Sequence, residues 1–68
     1  GSTDFYLCDE GGRVVVYTCT ENGLPDKRLL RTGIYVNLLP ENDALRIKQG
    51  LSVYSETELR TVLEDLGE

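Results

Sequence analysis

Two short runs of mostly apolar, β-branched or aromatic residues lie near the start of the chain, at residues 5–8 and 14–19, and a polar segment with two glycines separates them. The pair Gly11-Gly12 lies between them, and a two-residue glycine turn between two such runs is a β-hairpin signal. With the glycines in the turn, the hairpin places Leu7 opposite Val16. The predicted core face of the hairpin carries four apolar side chains: Phe5, Leu7, Val14 and Val16.

The opposite face of the hairpin carries a mixture of aromatic, aliphatic and thiol side chains: Tyr6, Cys8, Val15, Tyr17 and Cys19. Such a mixture suits a surface that is half covered or open to solvent. The same register places Glu10 opposite Arg13 beside the turn. We therefore expect the helices of the domain to cover the other, apolar face.

Residues 20–32 show neither helical nor strand periodicity, and turn signals occur at Asn22-Gly23 and Leu24-Pro25. We predict a loop here. Residues 34–36 follow Gly33 and are β-branched or aromatic, which predicts a third strand beside the hairpin.

Two helices are predicted in the C-terminal half. The first has Asn37 as its N-cap, Pro40 in its first turn and Gly50 as its C-terminal stop. Its predicted apolar stripe consists of Leu38, Leu45, Ile47 and Leu51. A short extended bridge at residues 51–54 follows.

The second helix begins with a capping box in which Ser55 is the N-cap and Glu58 reaches back. Its apolar residues fall at i, i+3, i+4 and i+7, on one helical face: Leu59, Val62, Leu63 and Leu66. The predicted fold class is therefore α+β. It has a small antiparallel sheet, made of a β-hairpin plus one or two short strands, with two helices in the C-terminal half.

One small domain is all that 68 residues allow, because independent domains usually run from about 50 residues upward. Residues 1–2 resemble a cloning remnant and methionine is absent, so we expect residues 3–68 to be a single domain excised from a longer parent protein. The formal charge of -5 disfavours nucleic acid and anionic membrane surfaces as partners. Histidine is absent, which removes the commonest general base and the commonest zinc ligand. We predict no enzyme activity, cofactor, metal site or small-molecule substrate.

Several segments resemble a known family. Residues 6–17, Tyr-Leu-Cys-Asp-Glu-Gly-Gly-Arg-Val-Val-Val-Tyr, resemble the opening of the C-terminal domain of the bypass-of-forespore protein BofC. Residues 34–43 are similar to its strand followed by a Leu-Pro-Glu-x-Asp helix start. Residues 49–59 are similar to its Gly-Ile-x-Val-x-Ser-Glu-x-Glu-Leu segment, and residues 63–65 to its terminal Leu-Glu-Asp. The resemblance spans nearly the whole chain except the segment after Cys19.

The resemblance implies a BofC C-terminal-like α+β domain that is non-catalytic and extracytoplasmic, from a spore-forming member of the Firmicutes. It also implies that the full-length protein is anchored in a membrane. In the family's founding member the protein restrains a signalling serine protease during sporulation, and a similar regulatory role is the expectation here. The family supplies no functional residues to transfer to this chain.

The two cysteines, Cys8 and Cys19, invite a disulfide in an exported domain. The predicted register places Cys19 opposite Asp4, so the two Cα atoms would lie roughly 14 Å apart. A disulfide needs less than about 7 Å. We therefore predict free structural thiols. A disulfide through another register, or a catalytic or metal role, remains the alternative.

The acidic residues that could suggest paired carboxylates or a cation site lie at helix starts or on solvent-facing helix surfaces: Glu41, Asp43, Glu56, Glu58, Glu64 and Asp65. Helix dipoles and capping account for such positions. A calcium loop would alternate oxygen ligands around a glycine, and this chain has no such pattern. We assign these carboxylates to helix ends and to the surface.

Two candidate partner-contact surfaces stand out. One is the basic segment with Lys27, Arg28 and Arg31 around Leu29 and Leu30, whose exposed leucines would suit partner docking. Its alternative is that the leucines tuck under the sheet edge as a fourth short strand. The other surface is formed by the tyrosines of the sheet, with ordinary cross-strand packing as its alternative. The residues selected as candidate contacts are Tyr6, Tyr17, Lys27, Arg28, Leu29 and Tyr35.

Three functions are compatible with these features of the sequence. The favoured one is a non-catalytic interaction or regulatory domain that acts by occluding part of another protein. The second is a structural spacer that forms a homo-oligomer by pairing through an exposed strand edge. The third, an enzyme that uses a thiol or a carboxylate, is the poorest fit to the composition.

Overall fold

The computed structural model describes residues 4–22 and 24–67. Its elements are β1 (Phe5–Glu10), β2 (Arg13–Cys19), β3 (Pro25–Tyr35), a 3-10 turn (Val36–Leu38), α1 (Glu41–Gln49), β4 (Leu51–Val53) and α2 (Glu56–Asp65). The four strands form one antiparallel sheet in the order β3-β2-β1-β4. The predicted α+β class, with both helices in the C-terminal half, is confirmed.

The register of the β1–β2 hairpin is the predicted one. Leu7 pairs with Val16, and Glu10 pairs with Arg13. Both turn glycines have positive φ angles, 64° at Gly11 and 84° at Gly12, as a type I′ turn requires. The backbone N–H of Gly12 donates to the Asp9 carboxylate at 3.0 Å, which closes the turn.

The predicted loop at residues 20–32 is wrong, because most of it belongs to β3. This strand runs for eleven residues against the seven of β2, and its register shifts at three places. Each shift is a β-bulge or irregularity, which interrupts the period of two that marks a strand in a sequence. Leu29 and Leu30 do lie in a strand, as the alternative held, yet they are 54% and 44% exposed and do not tuck under the sheet. The predicted third strand at residues 34–36 is the end of β3 and the start of the 3-10 turn.

Helix α1 begins later than predicted. Pro40 is its N-cap, whereas the predicted N-cap, Asn37, lies in the 3-10 turn. A residue before proline is held away from helical geometry, and Leu39 is extended accordingly, with φ -79° and ψ 153°. The predicted apolar stripe is also partly wrong, because Leu45 is 53% exposed and only Ile47 is buried in this helix.

The C-terminal part of the chain follows the prediction more closely. The extended bridge forms β4, an edge strand that pairs with β1. Helix α2 begins after Ser55, whose hydroxyl accepts from the Glu58 N–H at 3.0 Å. The Glu58 carboxylate accepts from the N–H of Tyr54 at 3.4 Å, one residue before the N-cap. Leu59 on the predicted apolar face is buried.

The core lies between one face of the sheet and the two helices. It is built from eight apolar side chains: Leu7, Val14, Val16, Ile34, Val36, Ile47, Val53 and Leu59. By the strand register, the sheet residues of this cluster share one face, which we call the core face. Within the described residues, neither helix is long and apolar enough to cross a membrane.

Candidate functional site

The face of the sheet that points away from the helices presents three rows of side chains. The first row runs Tyr6, Tyr17 and Arg28, the second Cys8, Val15 and Arg31, and the third Glu10, Arg13 and Tyr35. Directly opposed residues of antiparallel strands point to the same side of the sheet. We call these nine residues the outer face.

Glu10 joins the first and third rows. Its carboxylate accepts a hydrogen bond from the Tyr17 hydroxyl and lies 4.0 Å from the Arg28 guanidinium. The hydrogen bond to Glu10 is the main cause of a raised pKa at Tyr17, and burial adds to it. Tyr17 and Arg28 are thus held beside each other by a carboxylate of the same chain.

Arg13 and Tyr35 form the second polar contact of the outer face. The guanidinium carbon of Arg13 lies 5.1 Å from the centre of the Tyr35 ring, and its Nη2 donates to the Tyr35 hydroxyl at 3.1 Å. A cation over an aromatic face is attracted by the ring quadrupole. The contact fixes a tyrosine that is still 47% exposed.

The middle row has an apolar residue at its centre and an exposed arginine at the β3 edge of the sheet. Val15 is fully buried although it lies on the outer face, flanked by Cys8 on β1 and Arg31 on β3. Arg31 is exposed, and its side chain makes no ion pair or hydrogen bond within residues 4–22 and 24–67. This row therefore leaves a guanidinium available to a ligand.

The charge of the outer face is opposite to that of the whole protein. The face carries three arginines and one glutamate, in a chain of formal charge -5. The helical side carries the excess of acid: Glu41, Asp43, Glu56, Glu58, Glu64 and Asp65 against Arg46, Lys48 and Arg60. The described molecule is thus polarised, with a basic and aromatic sheet face and an acidic helix layer.

The candidate contact residues largely converge. Tyr6, Tyr17, Arg28 and Tyr35 all lie on the outer face, so the tyrosine surface and the basic segment are one surface. Lys27 and Leu29 are exposed on β3 but lie outside the three rows.

Three charged residues of this surface, Glu10, Arg13 and Arg31, are not among the contacts selected from the sequence, although Arg31 belongs to the basic segment. The turn register already placed the first two opposite each other. Nothing in the sequence indicated the direction of Arg31, because that depends on the bulge at Leu29.

Both cysteines are free thiols, and the strand register, which is the predicted one, keeps them from pairing with each other. Cys8 pairs with Val15, while the N–H of Cys19 donates to the Asp4 carbonyl at 3.3 Å. Burial raises the pKa of Cys8, and the charges of Glu10 and Asp9 raise it further. Burial and the charge of Asp4 raise the pKa of Cys19. A nucleophilic cysteine needs the opposite shift, toward the thiolate.

Three of the six helix carboxylates make local contacts. Asp43 pairs with Arg46 at 3.7 Å and Glu56 with Arg60 at 3.7 Å, both within one helix. Glu58 serves the cap of α2. Across residues 4–22 and 24–67, no three acidic or thiol side chains lie close enough together to hold a metal ion.

Comparison with known proteins gives no relative. The sequence matches no protein-family model, no curated protein and no solved structure. The function of this chain must therefore be inferred from the geometry of its outer face, and the resemblance to the BofC C-terminal domain stays a prediction.

Proposed function

We propose that this chain is a non-catalytic interaction domain that binds another protein through its outer face. The observation that carries the proposal is the convergence of three tyrosines and three arginines on the sheet face opposite the one against which the described helices pack. Tyrosine and arginine are among the residues enriched at protein interfaces and at their energetic centres.

The architecture of the outer face suits binding more than catalysis. The contacts of Glu10 and Arg13 hold Tyr17, Arg28 and Tyr35 in place before a partner arrives. Side chains that are already fixed lose less entropy on binding. The mechanism would be occlusion, in which the domain covers part of its partner.

The side chains of this chain that could take part in catalysis also favour a non-catalytic role. The chain has no histidine, and the pKa values of both thiols are raised, so neither is activated as a nucleophile. Among the helix carboxylates, Glu58 serves a cap, and Asp43 and Glu56 are ion-paired along their helices.

The cellular setting of the proposal comes from the resemblance to BofC. It supports an extracytoplasmic domain of a membrane-anchored protein in a spore-forming bacterium. The partner in that setting would be another protein of the same compartment, and a signalling protease is the regulatory target we propose.

The test is affinity capture with two paired variants. One carries Tyr17→Ala and Arg28→Glu on the outer face. The matched control carries Tyr54→Ala and Arg60→Glu, which lie outside the three rows of the outer face; Tyr54 is 66% exposed, and Arg60 is ion-paired on the surface as Arg28 is. Both variants lose one tyrosine and reverse one arginine.

The bait is the immobilised domain, and the prey is the extracytoplasmic protein extract of the organism that encodes it. We expect the outer-face variant to lose a protein that the wild-type domain and the control variant both retain. Retention of every captured protein by the outer-face variant would contradict the proposal.

A further inference from the structure

Each row of the outer face contains one arginine. Arg28 and Arg31 lie on β3, in the rows of Tyr17 and Val15, and Arg13 lies on β2 in the middle of the third row. These β2 positions are two residues apart, so successive rows are separated by roughly 6.8 Å. The spacing is that of alternate side chains in any extended polypeptide.

A bulge produces this alignment. Arg28 and Arg31 are three residues apart, and in a regular strand they would point to opposite faces. Between their partners on β2 the register shifts, with Leu29 as the extra residue, so both arginines oppose outer-face residues. Bulges re-aim side chains in this way and are common next to functional sites.

The three guanidinium groups are poorly neutralised. Arg28 has one carboxylate at 4.0 Å, from Glu10, and both side chains of that pair are about half exposed, at 55% and 46%. Arg13 contacts the uncharged Tyr35, and Arg31 has no ionic partner among the described residues. Exposed ion pairs are weak, so another carboxylate can replace Glu10.

We propose that the outer face binds an extended acidic segment of its partner, one with carboxylates at alternate positions. In such a segment the side chains at i, i+2 and i+4 share a face and repeat at roughly 6.8 Å, which matches the three arginine rows. The segment lies across β2 and β3, and one of its carboxylates takes the position of Glu10 beside Arg28. This inference rests on the proposed function and adds the chemistry of the partner.

The test uses three fluorescein-labelled peptides and fluorescence anisotropy. The first alternates three glutamates with threonines, Gly-Glu-Thr-Glu-Thr-Glu-Gly. The second has the same composition with the glutamates contiguous, Gly-Thr-Glu-Glu-Glu-Thr-Gly. The third replaces the glutamates of the first with glutamines. We expect the alternating peptide to bind about fivefold more tightly than the contiguous one, and the glutamine peptide to bind more weakly than both.

Single substitutions test whether the peptide binds at the outer face. Arg31→Gln should weaken binding of the alternating peptide, whereas Arg60→Gln on the helical side should leave it unchanged. Glu10→Gln should strengthen it, because the competing internal carboxylate is gone. All three changes are at exposed positions. Backbone amide NMR shifts should fall on β2 and β3.

Each contrary outcome has a distinct meaning. Equal binding of the contiguous peptide, no binding of the alternating peptide, or tighter binding of a thymidine oligonucleotide would overturn the acidic-segment inference. Equal binding of the glutamine peptide with shifts on β2 and β3 would also overturn it, while the outer face would stand as a binding surface. Shifts confined to α1 and α2 would contradict the proposed function itself.

Discussion

Two threonine hydroxyls replace sheet hydrogen bonds where β3 departs from its register. The Thr32 hydroxyl donates to the Val14 carbonyl at 2.7 Å and accepts from the Ile34 N–H at 3.2 Å. The Thr18 hydroxyl donates to the Lys27 carbonyl at 3.3 Å and accepts from the Lys27 N–H at 3.4 Å. Buried backbone groups need partners, so the Thr32 hydroxyl makes the irregular strand tolerable in the core, while the Thr18 hydrogen bonds lie at the surface.

Thr32 is the buried polar residue of the core region, with 2% of its surface exposed. Thr32→Val keeps the shape but leaves a carbonyl and an N–H unpaired, so we expect a loss of about 1–3 kcal/mol in the free energy of unfolding. The control is Thr61→Val on α2, whose hydroxyl bonds a backbone carbonyl at an exposed position, with an expected change within about 0.5 kcal/mol. Urea denaturation measures both, and equal losses would contradict the assignment.

The hydrogen bond between Tyr17 and Glu10 has a pH signature. It stabilises the protonated phenol, so the pKa of Tyr17 is raised above the ordinary value of 10.0. A raised pKa in the folded state means that this stabilisation is complete below the unfolded-state pKa and is lost as pH rises through the folded-state pKa. NMR titration of the Tyr17 ring should show Glu10→Gln lowering that pKa. An unchanged titration would mean that the contact is absent in solution.

The connection between α1 and β4 depends on a glycine. Gly50 has a φ of 92°, and a Cβ at this position would overlap the Tyr6 hydroxyl. Tyr6 of the outer face is therefore packed against the backbone that leads from the helix into the edge strand. This contact links the outer face to the helical layer.

Gly50→Ala should destabilise the domain for two reasons, the left-handed backbone and the collision with Tyr6. The backbone alone costs about 1–2 kcal/mol, and the collision should increase the loss. Gly67→Ala is the matched control, since Gly67 follows α2 with a φ of 104° and nothing lies within 4 Å of its added Cβ. Adding Tyr6→Ala to Gly50→Ala should recover the excess. A double-mutant cycle with no coupling energy would show that the collision does not occur.

The elements predicted correctly are those whose signals are local. The turn glycines specify the hairpin register, and Ser55 with Glu58 specifies the start of α2. The elements predicted wrongly depend on interactions between strands. The bulges of β3 remove its alternation, and the effect of Pro40 on Leu39 moves the start of α1 past Leu38, the first residue of the predicted stripe.

At the scale of the whole molecule, the sheet edges resist self-association. Edge β3 is bulged and carries Lys27, Arg28 and Arg31, and edge β4 has only three residues. Bulges, positive charges and short strands are the features that prevent edge-to-edge pairing. These features weigh against the alternative of a spacer that pairs through a strand edge.

We therefore expect a monomer of 7.6 kDa in sedimentation equilibrium, with an apparent mass that does not rise with protein concentration. Raising the salt concentration should not produce dimers, although salt screens the repulsion between basic edges. A dimer that forms with salt and disappears on replacing Leu30 with proline would instead support the spacer.

The site was predictable in part. The tyrosines of the hairpin followed from its register, and the basic segment was visible in the sequence. That the tyrosines and the basic segment form one surface was not predictable. It requires residues 25–35 to form a strand, and it requires a bulge that places Arg31 on the same face as Val15. The polarity of the molecule, basic on the sheet and acidic on the helices, likewise appears only once the faces are known.

Site-specific photo-crosslinking shows whether the outer face is the surface that meets a partner. A benzoyl-phenylalanine at position 35 replaces the exposed aromatic side chain of Tyr35 on the outer face, and one at position 60 lies on the exposed surface of α2. We expect a crosslink to a partner protein from position 35 and none from position 60. A partner crosslinked from position 60 and not from position 35 would contradict the proposed function.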